Sequence, residues 1–240
     1  MPASIVDSAQ GLTLLGGGEL GPGDLTDALT LAPDLVAADS GAAAALARGL
    51  MPRAVIGDMD SLSPADQDRL GPDILHRIAE QDSTDFDKVL ARVTGPFAIG
   101  VGFLGLRADH QLANFNTLVR ARALPLLLAG VHDVVLPAPP ELDMPLAPGT
   151  RVSLFPLAPV TGRSEGLHWP IAGLPFAPDA VHGTSNLVAA GADRLRLSFD
   201  APGMLVILPR AALRPAVAAL RAAPRWEAPP PAGPAPAPAR

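Results

Sequence analysis

Short apolar runs, each closing in Gly or Asp, alternate with longer helical stretches from the start of the chain to about residue 128. That rhythm predicts repeated βα units and a parallel sheet. Strands are predicted at 12–15, 35–38, 54–56, 74–78, 97–103 and 125–128. The first five run into GGGELG, DSGAAAAL, GDMDSLS, EQDSTDFDK and GLRADHQLAN. In a doubly wound sheet these turns share the carboxyl edge, where such folds bind ligands. Residues far apart in sequence are therefore expected to meet in one crevice.

Beyond residue 128 the pattern changes to short runs broken by Pro and Gly, among them VSLFPL, the strictly alternating LRLSF, and MLVILP. This predicts a smaller antiparallel β domain, sandwich-like, after the N-terminal doubly wound α/β domain. The expected division is 1–128, 129–210 and 211–240. The last part is a helical segment over 211–222, broken at Pro215, followed by a Pro/Ala-rich tail that cannot bury a core. Trp226, in that tail, has no evident role.

Composition narrows the chemistry. Of 240 residues 48% are hydrophobic, enough for a sizeable core. There is no cysteine, which removes disulfides, thiolate nucleophiles and zinc-finger chemistry and leaves metal binding to oxygen or histidine. The net charge of −6 argues against a phosphate-tracking surface for nucleic acid. MPASIVDSAQ lacks a basic and apolar leader, and no run approaches the twenty apolar residues that span a bilayer. The expectation is a cytoplasmic protein that binds neither membrane nor nucleic acid.

Against seventeen arginines the chain has one lysine, Lys88, set among Asp82, Asp85 and Asp87. Thr84, Asp85 and Lys88 are expected to share a face of a helix N-capped by Asp82 or Ser83. A lysine ammonium is a compact charge able to reach a phosphate beside a metal, whereas a guanidinium demands a fork geometry. A solvated ion pair on a surface helix is the plainer alternative. GDMDS places Asp58 and Asp60 at a strand end. With Asp39, Asp85 and Asp109 on the same edge, the carboxylates would repel one another unless a cation compensates, and hard oxygen ligands suit Mg²⁺. GLRADH adds Arg107 as a phosphate clamp, Asp109 as a metal ligand or proton acceptor, and His110 as a cap or a catalyst. GGGELG formally matches a dinucleotide fingerprint, but Pro22 and Gly23 delay the helix to about Asp24, so it reads better as a turn that admits a nucleotide. No GxxxxGK[ST] occurs. In the β domain Trp169 is either core packing or a platform for a cationic ring, with Ser185 and Asn186 as a short polar pair.

Taken in order, DSGA at 39–42, GDMDS at 57–61, QDSTDFDK at 81–88, GLRADHQLANFNTL at 105–118, VSLFPL at 152–157, GLHWPI at 166–171 and TSN at 184–186 resemble the thiamine pyrophosphokinase family. The resemblance implies an N-terminal α/β domain binding ATP and Mg²⁺, a C-terminal β domain, and a homodimer with sites shared between subunits. It implies transfer of diphosphate from ATP to the hydroxyethyl oxygen of thiamine, yielding thiamine diphosphate and AMP. By similarity Asp58, Asp60 and Asp85 fall at Mg²⁺ and the phosphates. Gln81, Thr84, Lys88, Arg107, Asp109 and His110 fall around ATP and the reacting groups, and Trp169, Ser185 and Asn186 beside thiamine. Family members usually carry glycine where this chain has Ser40 and Leu106. Two other readings stand beside it: a haloacid-dehalogenase-like phosphatase with Asp58 as nucleophile, since AVIGDMDSL resembles its strand and DxD, and a non-catalytic thiamine or nucleotide sensor.

Overall fold

The computed structural model describes residues 3–80, 82–105 and 107–227; Gln81, Leu106 and the tail from 228 lie outside the described residues. The first half runs β1 (Val6–Asp7), β2 (Leu12–Leu15), α1 (Asp24–Leu31), β3 (Asp34–Ala38), α2 (Asp39–Leu46), β4 (Ala54–Gly57), α3 (Pro64–Leu70), β5 (Leu75–Arg77), α4 (Asp85–Leu90), β6 (Val93–Thr94), β7 (Ala98–Val101), α5 (Ala108–Arg120) and β8 (Leu126–Ala129). The second comprises β9 (Asp133–Pro137), β10 (Glu141–Pro145), β11 (Arg151–Pro156), β12 (Gly162–Glu165), β13 (Gly183–Leu187), β14 (Arg194–Phe199), β15 (Met204–Pro209), a 3₁₀ turn (Arg210–Ala212) and α6 (Leu213–Ala222).

Among the described residues ten strands form one sheet in the order β13-β11-β15-β9-β8-β7-β2-β3-β4-β5. From β8 to β5 the neighbours are parallel, and from β8 to β13 they are antiparallel. The protein is thus mixed α/β with a large, partly parallel sheet and an antiparallel extension. A three-stranded sheet, β10-β14-β12, shares a core cluster with the antiparallel strands through Leu142, Leu195 and Leu197 against Val152 and Val206.

Parallel strands need both faces covered, and here they are. Ala54 and Ile56 of β4 and Leu126 and Leu128 of β8 face a cluster containing Phe86 and Val89 of α4 and Leu118 of α5. The intervening Val55 and Leu127 face Leu25, Ala42 and Ala45 of α1 and α2, together with Val217 of α6. Alternate residues therefore serve opposite cores, which explains why these strands read as continuous apolar runs. The order reverses between β2 and β7, so the turns after these two strands diverge and leave a crevice at their carboxyl ends. No described helix is long and apolar enough to cross a membrane.

Three expectations need correction. The helix after QDST begins at Asp85 and is capped by Thr84, not by Asp82 or Ser83. The Thr84 hydroxyl accepts from the Asp87 N–H, and the Asp87 carboxylate accepts in return from the Thr84 N–H, a reciprocal capping box. Asp87 also accepts from Thr117 and Arg120, which ties α4 to α5. Next, α6 is not broken at Pro215. The proline lies in the first turn, where its missing N–H would have no intrahelical partner anyway. Finally, Trp226 is anchored, with its indole N–H donating to Ala138 O at 2.8 Å and its ring packed on the core.

Trp226→Ala is expected to cost about 2–3 kcal/mol and lower the thermal midpoint by about 4–10 °C. Trp226→Phe, which loses little beyond the N–H bond, is expected to cost about 1 kcal/mol. Thermal unfolding checks both, and an unchanged midpoint for the alanine variant would show that the ring contributes nothing.

Candidate active site

The crevice holds a cleft of about 430 Å³ walled by Gly16, Gly17 and Gly18 after β2 and by Gly102, Phe103 and Gly105 after β7. Asp58, Thr84, Asp85, Lys88, Arg107 and His110 reach it from three different segments. Its apolar floor went unnoticed in the sequence. Phe86 and Phe103 pack with ring centroids 4.4 Å apart, and both line the cleft. An aromatic directly after Asp85 was the available signal.

Lys88 is 2% exposed, so it is not a surface charge. Its Nζ lies 3.4 Å from Asp85 Oδ1 and 3.5 Å from Asp58 Oδ2. A buried ammonium is tolerable only when compensated in this way. The helix supplies the geometry, because Asp85 and Lys88 are one turn apart while Asp58 arrives from the end of β4.

The turn carrying Asp58 is strained. Met59 has φ 67°, a left-handed conformation that costs a non-glycine residue about 1–2 kcal/mol, while its side chain is buried in the core. Asp58 consequently faces the cleft, and its Oδ1 accepts from the Asp60 N–H at 3.2 Å. Behind it stands Asp39, 1% exposed. A Cβ on Gly57 would sit 2.5 Å from the Asp39 Cβ, so only glycine lets that carboxylate stand so close to the strand end. Asp39 Oδ2 accepts from the Ser61 N–H at 3.1 Å, and Oδ1 faces no donor among the described residues. Burial pushes the Asp39 carboxyl above the usual range, against the pull of Ser61, and sharing with Asp58 and repulsion from Asp85 push it further.

The sequence-predicted residues divide into groups. Asp58, Asp85 and Lys88 come together, with Thr84 at the rim, although the Thr84 hydroxyl is engaged with Asp87. Arg107 lines the cleft but forks onto Asp109, at 2.6 Å for the shorter bond, and both are largely exposed. The Arg107 guanidinium lowers the Asp109 carboxyl to about 2, which makes it a weak proton acceptor near neutrality. Asp60 and Asp109 are not among the described residues lining the cleft. Gln81 lies outside the described residues. Ser40 also lines the cleft and fits because Gly17 opposite it has no side chain: a Cβ there would meet Ser40 at 2.5 Å.

Trp169, Ser185 and Asn186 gather elsewhere. Trp169 is 55% exposed, with His168 edge-on at 4.4 Å. Asn186 on β13 is buried and bonded to the Trp169 backbone. Five strand steps separate β13 from β7, about 24 Å along the hydrogen-bonding direction.

No three acidic or imidazole groups among the described residues converge tightly enough to enclose a metal ion by themselves. Mg²⁺ does not require such a cage, because it usually takes one or two carboxylates and completes its shell with water and substrate phosphates. Two carboxylates paired with one ammonium, and a third, Asp39, behind them with an orphaned buried oxygen, suit that mode of binding.

The fold and cleft define a mixed α/β protein with a polar, glycine-walled ligand crevice where the order of a parallel sheet reverses. Residues 26–127 match the model described as thiamin pyrophosphokinase, catalytic domain. The chain is 24% identical to thiamine pyrophosphokinase 1 of Oryza sativa subsp. japonica over 168 residues, 62% of this chain and 64% of that protein. It is 26% identical to thiamine pyrophosphokinase 1 of Arabidopsis thaliana over 156 residues, 57% and 58% of the two chains. The matches thus span under two thirds of either plant relative. A Lactobacillus plantarum protein structure superposes with a TM-score of 0.69 at 26% identity, covering 84% of this chain and 99% of that one. Thiamin pyrophosphokinase from Candida albicans gives 0.72 at 14% identity, covering 85% and 92%, and shares the fold. Residues 26–127 thus resemble the thiamine pyrophosphokinase catalytic domain, and the chain shares the fold of the solved structures named.

Asp39→Asn keeps the acceptor for Ser61 and turns a donor toward Asp58. In EDTA it is expected to stabilise the protein by about 1 kcal/mol, raising the thermal midpoint by about 2–4 °C. A lower midpoint would show that the fold needs the carboxylate charge.

Proposed function

We propose that the protein transfers the terminal diphosphate of ATP to the hydroxyethyl oxygen of thiamine, releasing AMP and thiamine diphosphate. The observation that carries this is the buried Lys88, held between Asp58 and Asp85 in a glycine-walled cleft of a chain that matches the family's catalytic domain. The hydroxyl oxygen attacks the β-phosphorus, the bond from that phosphorus to the oxygen bridging it to the α-phosphorus breaks, AMP leaves, and the hydroxyl proton passes to a phosphate oxygen or to water. Such a transfer depends on in-line positioning and charge neutralisation more than on covalent catalysis.

Lys88 holds phosphate oxygens, Arg107 swings from Asp109 to clamp them, and the glycine wall lets the nucleotide approach the backbone. Asp58 and Asp85 would hold Mg²⁺, with Asp60 beside them on the turn. When bound, the ion neutralises charge on the transferring group. Gln81, Thr84 and His110 flank ATP, and the low pKa of Asp109 favours orienting the hydroxyl over removing its proton. Trp169 and Ser185 receive thiamine. Neither the phosphatase nor the sensor reading is favoured by the family and structure matches.

We read residues 1–128 as a doubly wound ATP-binding unit, 129–210 as a sandwich-like thiamine-binding unit, and the protein as cytoplasmic. The separation of about 24 Å between Trp169 and the cleft supports a homodimer in which each site joins the first half of one chain to the second half of its partner.

Purified protein incubated with ATP, Mg²⁺ and thiamine is expected to release AMP, resolved by chromatography; ADP in its place would sink the diphosphate reading. Lys88→Arg is expected to lower kcat about 10²-fold with unchanged circular dichroism, and an unaltered rate would remove the lysine from the chemistry. Mixing Lys88→Met chains with Trp169→Ala chains, each inactive alone, is expected to restore about a quarter of wild-type activity, since half the dimers are mixed and each of those has one intact site. No recovery would place both halves of a site in one chain.

A further inference from the structure

The wall around Trp169 is built from irregularities. Residues 166–168 run beside the end of β13 as a strand would: His168 N–H donates to Leu187 O, Ala189 N–H to Gly166 O, and Leu167 bridges Val188. At Trp169 that backbone pairing stops and a side chain replaces it. Asn186 Nδ2 donates to Trp169 O at 2.7 Å, and the Trp169 N–H donates to Asn186 Oδ1 at 3.2 Å. The same Oδ1 also accepts from the Leu187 N–H at 2.8 Å.

The next residue along β13 is strained. Ser185 has φ 63°, and its N–H donates to the hydroxyl of Ser153 at the point where the register of β11 with β13 shifts. A bulge re-aims side chains, and a left-handed non-glycine residue persists only where its surroundings hold it. Together they leave the Ser185 side chain exposed, one residue from the asparagine that holds the exposed Trp169, while Asn186 is turned inward with both amide atoms engaged.

We propose that Asn186 is a positioning residue: by pairing with both the N–H and the C=O of Trp169, it fixes the indole and Ser185 as one face of a subsite for a flat, positively charged heterocycle. This departs from the direct thiamine contact implied by resemblance for Asn186, and it rests on the reading above in taking thiamine as the occupant. An indole face attracts a cationic ring, but only an indole held in place offers that face without an ordering cost.

The test uses the full chain carrying Trp226→Phe, so that Trp169 is the only tryptophan. In that background Asn186→Asp keeps the acceptor, loses the donor and sets a carboxylate against Trp169 O. The expected result is lower fluorescence anisotropy of Trp169 and a rise of about tenfold in KM for thiamine, with KM for ATP within about twofold and an unchanged circular dichroism spectrum. Unchanged anisotropy would overturn the proposal, as would equal rises in both KM values, which mark a general loss of structure. Should the aspartate variant fail to fold, Asn186→Ala carries the same readouts without the charge. The anisotropy needs no substrate, so an absence of AMP formation by the parent protein would remove the activity while the fluorescence still decides the role of Asn186.

Discussion

The site depends on crowding like charges around a single buried ammonium. Asp58 and Asp85 meet at the carboxyl edge of the sheet with Asp39 close behind, and the Lys88 ammonium pairs with the first two. Neither side of that arrangement is stable without the other, because the lysine could not be buried without carboxylates and the carboxylates would separate without a cation. The surrounding structure enforces it. Gly57 gives Asp39 room, the left-handed Met59 turns the chain after Asp58, and the Thr84 capping box fixes where α4 begins and therefore where Asp85 and Lys88 project. What remains is an excess of negative charge facing a cleft, suited to a ligand that arrives with its own cation.

Much of this was legible in the sequence for a physical reason. Strands buried on both faces are largely apolar, so all the parallel strands but the edge strand β5 stood out as runs, and the turns after them, rich in Gly and Asp, marked the carboxyl edge. Lys88 was legible by rarity. What escaped was whatever depends on a single torsion or on one side chain substituting for backbone. Nothing in GDMDS shows that Met59 is left-handed. Nothing in TSN distinguishes an asparagine facing a ligand from one facing the Trp169 peptide. Asp82, Ser83 and Thr84 are all competent caps, and only the reciprocal partner, Asp87, decides for Thr84. Trp226 looked idle because its acceptor, Ala138, is 88 residues away.

The change of texture at residue 128 reflects strand direction more than separation. β8 pairs with β7 in parallel and with β9 antiparallel, so the ladder continues across the point where the sequence pattern changes. The strand beside the glycine-walled cleft, β7, and the strand whose Asn186 holds Trp169, β13, are thereby joined in one sheet, five strand steps apart.

The two margins of that sheet have a further consequence. At one margin β5 has only three residues, including His76 and Arg77; at the other β13 is irregular, and the segment ending at Trp169 lies along its end. Short, charged or covered margins are poor templates for another strand. Prolonging this ladder with another strand is disfavoured at both margins, and with it the main-chain route toward fibrous aggregates.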